Sequence, residues 1–102
     1  MDKRTKLAGE LEKTTSWVWV DPAGGCLKVE FYDFSELAQR MFGNDIAYTL
    51  TVREMPRLFS LTKHDESSLI DWLAMSFKSY FGIKRWLEEN QIAFSVEIES
   101  WA

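Results

Sequence analysis

Three stretches of this chain alternate apolar and polar residues without a break: Leu27-Val29-Phe31, Ile46-Tyr48-Leu50-Val52 and Ile92-Phe94-Val96-Ile98. Successive side chains of a strand point to opposite faces, so a period of two puts all the apolar residues on one side. On a helix the same residues would scatter round the circumference. The pattern therefore predicts a sheet covered on one face, with strands over 26–32, 45–52 and 92–100. A further strand is expected over 10–20, strongest at Trp17-Val18-Trp19-Val20. There both alternating sets are apolar, so the pattern does not decide which set faces the core.

The punctuation between these strands predicts the connections. Asp21-Pro22-Ala23-Gly24-Gly25 is turn chemistry: proline presets φ at a corner and glycine supplies positive φ. The first two strands should thus form an antiparallel hairpin. In Tyr32-Asp33-Phe34-Ser35-Glu36-Leu37, Asp33 and Glu36 have the spacing of a capping box. Tyr32 and Leu37 flank it as a hydrophobic staple, which predicts a helix over 33–42 ending at Gly43. Pro56 suits the first turn of a short helix over 56–61. Asp65 should cap the longest helix, 65–81, on which Leu69, Ile70, Leu73, Ala74, Phe77, Tyr80 and Phe81 fall within an arc of roughly 140° at about 100° per residue. Met75 lies on the opposite arc. Gly82 should close that helix, and a last one over 83–89 should end at Asn90.

The expected order is β-β-α-β-α-α-α-β. This is an α+β fold of two layers, a four-stranded, mostly antiparallel sheet with helices packed on one face. A length of 102 residues fits one domain over 10–102, after a polar, frayed terminus over 1–9.

Composition narrows the function classes. The chain is 46% hydrophobic and 15% aromatic, with five Trp, as in a chain that folds. A net charge of −4 argues against an electrostatic grip on nucleic acid or anionic lipid. Lysine and arginine cluster only at Lys3-Arg4-Lys6, and no apolar segment of signal-peptide or membrane-span length follows. With Cys26 the only cysteine, no disulfide can form within the chain. These features predict a cytoplasmic protein that binds neither nucleic acid nor membrane.

The runs Ser16-Trp17-Val18-Trp19-Val20-Asp21, Val29-Glu30-Phe31-Tyr32-Asp33-Phe34-Ser35-Glu36, Phe42-Gly43-Asn44-Asp45 and Ser100-Trp101-Ala102 resemble a family of small uncharacterised bacterial proteins. The resemblance implies a bacterial, cytoplasmic protein. It transfers no activity, cofactor or catalytic residue.

Each reactive residue type has a plainer account. His64, the only histidine, stands in a loop just before the Asp65 cap, and a general base there would need an orienting carboxylate. Cys26 opens a strand after a turn, without the helix N-terminus or histidine partner that lowers a thiol pKa. Zinc ligation lacks both the CxxC and the HxxxH spacing. Of the carboxylates, Asp33 and Glu36 are taken by capping, Asp21 by the turn and Asp45 by a strand start. Glu30 has no local role and could join Asp45 in a carboxylate or metal-assisted site. Gly24-Gly25 lacks the spacing of a phosphate loop.

The tryptophans carry the main functional expectation. If Val18 and Val20 point inward, then Trp17, Trp19, Tyr32 and Trp101 lie on the sheet face without helices. Large aromatics among charges are typical of protein interfaces. The first expectation is a non-enzymatic protein-binding domain without a cofactor, of bacterial immunity type or homodimerising through that uncovered face. A small carboxylate enzyme is one alternative. The other is a ligand-binding domain with an aromatic pocket lined by Tyr48, Phe77 and Tyr80.

Overall fold

The computed structural model describes residues 4–7, 14–33, 40 and 45–101. Its strands are β1 (Thr5–Lys6), β2 (Thr14–Asp21), β3 (Cys26–Asp33), β4 (Asp45–Val52) and β5 (Ser95–Trp101). Its helices are α1 (Met55–Thr62), α2 (Glu66–Ser76) and α3 (Tyr80–Glu89). The five strands form one antiparallel sheet whose spatial order is the chain order. No helix among the described residues is long and apolar enough to cross a membrane.

Alternation and register together build the core. Val18, Val29, Leu50 and Val96 stand abreast across β2 to β5, and Val20, Leu27 and Val52 form a second row. The rows from β2 to β4 pack with Leu58, Leu69, Leu73, Ile83 and Leu87 from the three helices. The valines of β2 therefore face the helices, and Trp17 and Trp19 take the other side. α2 packs on β1 and β2, and α3 on β3.

The hairpin forms as its residues require. Asp21 Oδ1 accepts the Ala23 N–H at 3.0 Å, and Gly25 N–H donates to the Asp21 carbonyl at 2.8 Å. Gly25 has φ +60, the left-handed conformation in which a side chain is strained.

Among the described residues five strands, not four, make the sheet. Thr5 and Lys6, expected to fray, pair with Val18 and Trp17. Leu7 then donates its N–H to the Ser16 carbonyl at 2.8 Å and buries its side chain in the core. That burial anchors a strand too short to show any periodicity. β5 pairs with β4 and begins at Ser95, three residues later than expected. Ile92, the first residue of the expected strand, instead plugs the core just after α3, its N–H donated to the Leu87 carbonyl at 2.9 Å. The helix expected over 33–42 lies outside the described residues, apart from Asp33 at the end of β3 and the helical Arg40.

The long helix expected over 65–81 is two helices. Asp65 does cap α2: Oδ1 accepts the Ser68 N–H at 3.0 Å, and Ser68 Oγ accepts the Asp65 N–H at 3.2 Å. The backbone then turns extended at Phe77 (φ −126, ψ 141) and again at Ser79 (φ −152, ψ 167) before α3 starts. The break lets Phe77 join Trp72 and Trp86, with ring centroids 5.6–5.9 Å apart. It also drives Tyr80 into the core over the sheet. Gly82 accordingly lies inside α3 rather than closing a helix. At the far end Asn90 is the C-cap, but the left-handed residue is Gln91 (φ 56). Arg57 of α1 closes this end, donating to the carbonyls of Gln91 at 2.6 Å and Asn90 at 3.0 Å.

Candidate interaction surface

The face opposite the helices carries the aromatic residues singled out from the sequence. Register places Trp17, Trp19, Lys28, Glu30, Tyr32, Thr49 and Thr51 there, with Trp101 at the β5 end opposite Asp45. Their exposures differ from those of a bare aromatic surface. Trp19 is 5% exposed, and Ala47 and Thr51 on the same face are buried as well. Trp17 and Tyr32 are half-buried. Arg4 lies over the Trp19 ring, its guanidinium carbon 4.1 Å from the centroid, and reaches Glu30 at 3.9 Å. Lys6 Nζ stands 6.0 Å from the Trp17 ring, whose Nε1 donates to Thr15 Oγ1 at 3.3 Å. Lys28 Nζ donates to Thr51 Oγ1 at 2.9 Å. Much of the aromatic and charged chemistry on this face is thus engaged within the chain.

The reactive candidates are dispersed. Glu30 meets Arg4 at 3.9 Å, and its register partner on β4 is Thr49, four residues along the strand from Asp45. His64 is half-buried, its Nδ1 3.0 Å from Ser68 Oγ and its ring 5.6 Å from Trp72, within the α2 cap. Asp65 holds its carboxyl below the ordinary range because Ser67 and then Ser68 donate hydrogen bonds to it. Cys26 is buried at the start of β3. No group of three or more His, Cys, Asp or Glu is gathered in metal-binding geometry among the described residues.

A different surface stands out at the end of the sheet. β5 is an outer strand, and Ser95, Val96, Glu97, Ile98 and Glu99 are all exposed. On the helix side Ile98 is 66% exposed and Val96 38%, beside Phe81 of α3 at 47%. Phe81 is fixed edge-on against Phe31 (4.8 Å) and Tyr80 (5.1 Å), leaving its outer flank open. These three residues, with Tyr48, Tyr80 and Lys84, line a shallow depression of about 310 Å³. Tyr48 and Tyr80, expected to line an aromatic pocket, do meet here with centroids 6.1 Å apart. Phe77 does not; it belongs to the tryptophan cluster. Burial, reinforced by Tyr48 and Glu88, pushes the Tyr80 phenol up to about 12, so it stays neutral at physiological pH.

Sequence reasoning missed this surface. The alternation of Val96 and Ile98 matches that of β3 and so predicts the same cover. Alternation alone reports which face of a strand is apolar, not whether a helix covers it. Compared with known proteins, the chain matches no family model, no curated protein and no solved structure.

Proposed function

We propose that this protein acts by binding an extended segment of another protein along the free edge of β5. The observation that carries this reading is the coincidence of an outer strand with exposed apolar residues beside it. An edge strand presents unpaired N–H and C=O groups, and natural proteins ordinarily blunt such edges. Here the edge adjoins Val96, Ile98 and Phe81, which offer apolar contact to alternate side chains of an added strand. Backbone hydrogen bonds would supply affinity and the apolar depression selectivity, as in β-strand addition. The contacts of Glu30 with Arg4 and of His64 with Ser68, and the burial of Cys26, favour binding over catalysis.

Site-specific photocrosslinking tests the reading. A photoreactive residue at position 98 should give a discrete protein adduct in an extract of the source cells. The same residue at position 75, where Met75 is 87% exposed on the far side of α2, should give none. Equal labelling at both positions, or none at 98, would reject the β5 edge.

A further inference from the structure

We infer that the strand taken up by β5 belongs to a different protein and alternates cationic with apolar residues. This rests on the β5 reading above and adds the chemistry of the partner. Glu97 and Glu99 project from the face of β5 opposite Val96 and Ile98, and both are exposed. Neither forms an ion pair among the described residues. Directly opposed residues of an antiparallel pair share a face with side chains close enough to interact. Lysine or arginine at alternate positions of an incoming strand would therefore meet the two carboxylates. The intervening residues would fall on the other face, over Ile98, Val96 and Phe81.

Lys84 sharpens the preference. It lines the apolar depression, so a cationic side chain placed on that face meets a like charge. Cations on the glutamate face and aliphatic groups on the Lys84 face satisfy both sides at once. The protein's net charge of −4 adds a long-range attraction for a basic segment.

The same residues disfavour a second copy of the chain paired through the middle of β5. A two-fold axis through a continuous sheet pairs β5 with itself antiparallel. With the axis at Glu97, that residue faces its own copy; at Ile98, Glu97 faces Glu99; at Glu99, Glu99 faces its own copy. Each of these registers opposes carboxylates on adjacent strands, which is destabilising. The glutamates thus weigh against the central self-paired registers and favour a strand of opposite charge.

The test uses three synthetic peptides of equal length: strictly alternating valine and lysine, alternating valine and glutamate, and a block peptide of the first composition with the lysines contiguous. Binding to the full chain is measured by calorimetry at two salt concentrations, with sedimentation for self-association. The alternating valine–lysine peptide should bind best, more weakly as salt rises. Two cross-strand charge pairs predict a loss of roughly two- to thirty-fold in the double variant Glu97→Gln, Glu99→Gln. The variant Glu97→Lys, Glu99→Lys should prefer the valine–glutamate peptide instead. Equal binding of all three peptides, or tighter binding of the glutamate peptide to the native chain, overturns the charge assignment but leaves the β5 edge as the site if Ile98→Asp abolishes binding. Binding of the lysine peptide that survives Ile98→Asp overturns the edge itself. A dimer that Ile98→Asp dissociates overturns the assignment of the edge to a different protein.

Discussion

The start of α3 depends on a residue sixty-four positions away in sequence. Ser79 occupies the N-cap of that helix, yet its side chain makes no capping hydrogen bond. The Tyr80 N–H is instead accepted by Ser16 Oγ of β2, at 3.0 Å. Ser16 is 2% exposed, so water does not replace the hydroxyl when it is removed. Ser16→Ala leaves a buried donor without a partner, at a cost of about 1–3 kcal/mol. Ser79→Ala removes no such bond and should change stability by less than about 0.5 kcal/mol, as at an ordinary surface position. Urea titration followed by tryptophan fluorescence reads both, and a thermal melt should fall about 4–8 °C per kcal/mol for a domain of this size. The order of the two variants is decisive. If Ser79→Ala proves the more costly, or if Ser16→Ala melts like the parent, the strand does not cap the helix.

Three further outcomes follow from the same contacts. Trp19→Ala should cost about 3–5 kcal/mol on denaturant titration, because the ring is buried even though it faces away from the helices; a loss under about 1 kcal/mol would make it a surface residue. Tyr80 is protonated more tightly in the folded chain, so its contribution is intact below the ordinary phenol value of 10.0 and is lost as pH rises towards about 12. Stability across that window should fall more steeply for the native chain than for Tyr80→Phe. Asp65 has the opposite sign: its lowered pKa contributes stability above the ordinary 3.8 that disappears as acid protonates it. The stability difference between the native chain and Asp65→Asn should accordingly shrink on acidification below that value.

What the sequence disclosed follows from which forces act locally. The Asp65 cap, the Pro56 helix start and the turn at Gly25 depend on nearest neighbours, and each stands where local chemistry puts it. The α2–α3 break does not. Phe77, Tyr80 and Phe81 continue the apolar arc of α2 without a gap, and only the fit of Tyr80 against Ser16 and the sheet ends the helix early. β1 was invisible because two paired residues cannot show a period. The orientation of β2 was undecidable because tryptophan and valine are both apolar. It resolves through small valines packing under the helices and large indoles meeting Arg4 and Lys6 on the other face.

The candidate surface exposes a subtler limit of alternation. Leu27-Val29-Phe31 and Val96-Ile98 carry the same signal, yet the first set is buried and the second is not. Period two reports which face of a strand is apolar, not whether anything covers that face. Coverage depends on the footprint of the helices. The helices cover the apolar face as far as Leu50 and Val52 of β4, so the alternation persists one strand beyond their footprint. A free edge is normally protected by charge, and β5 has that protection on one face only. Val96 and Ile98 remain on the other, next to a phenylalanine that the aromatic packing of Phe31 and Tyr80 holds in place. That packing serves the fold, and it also fixes the ridge in one arrangement. A ridge held rigid before its partner arrives loses less conformational entropy on binding, and this asymmetry is the physical reason to look for the partner at β5 rather than among the tryptophans.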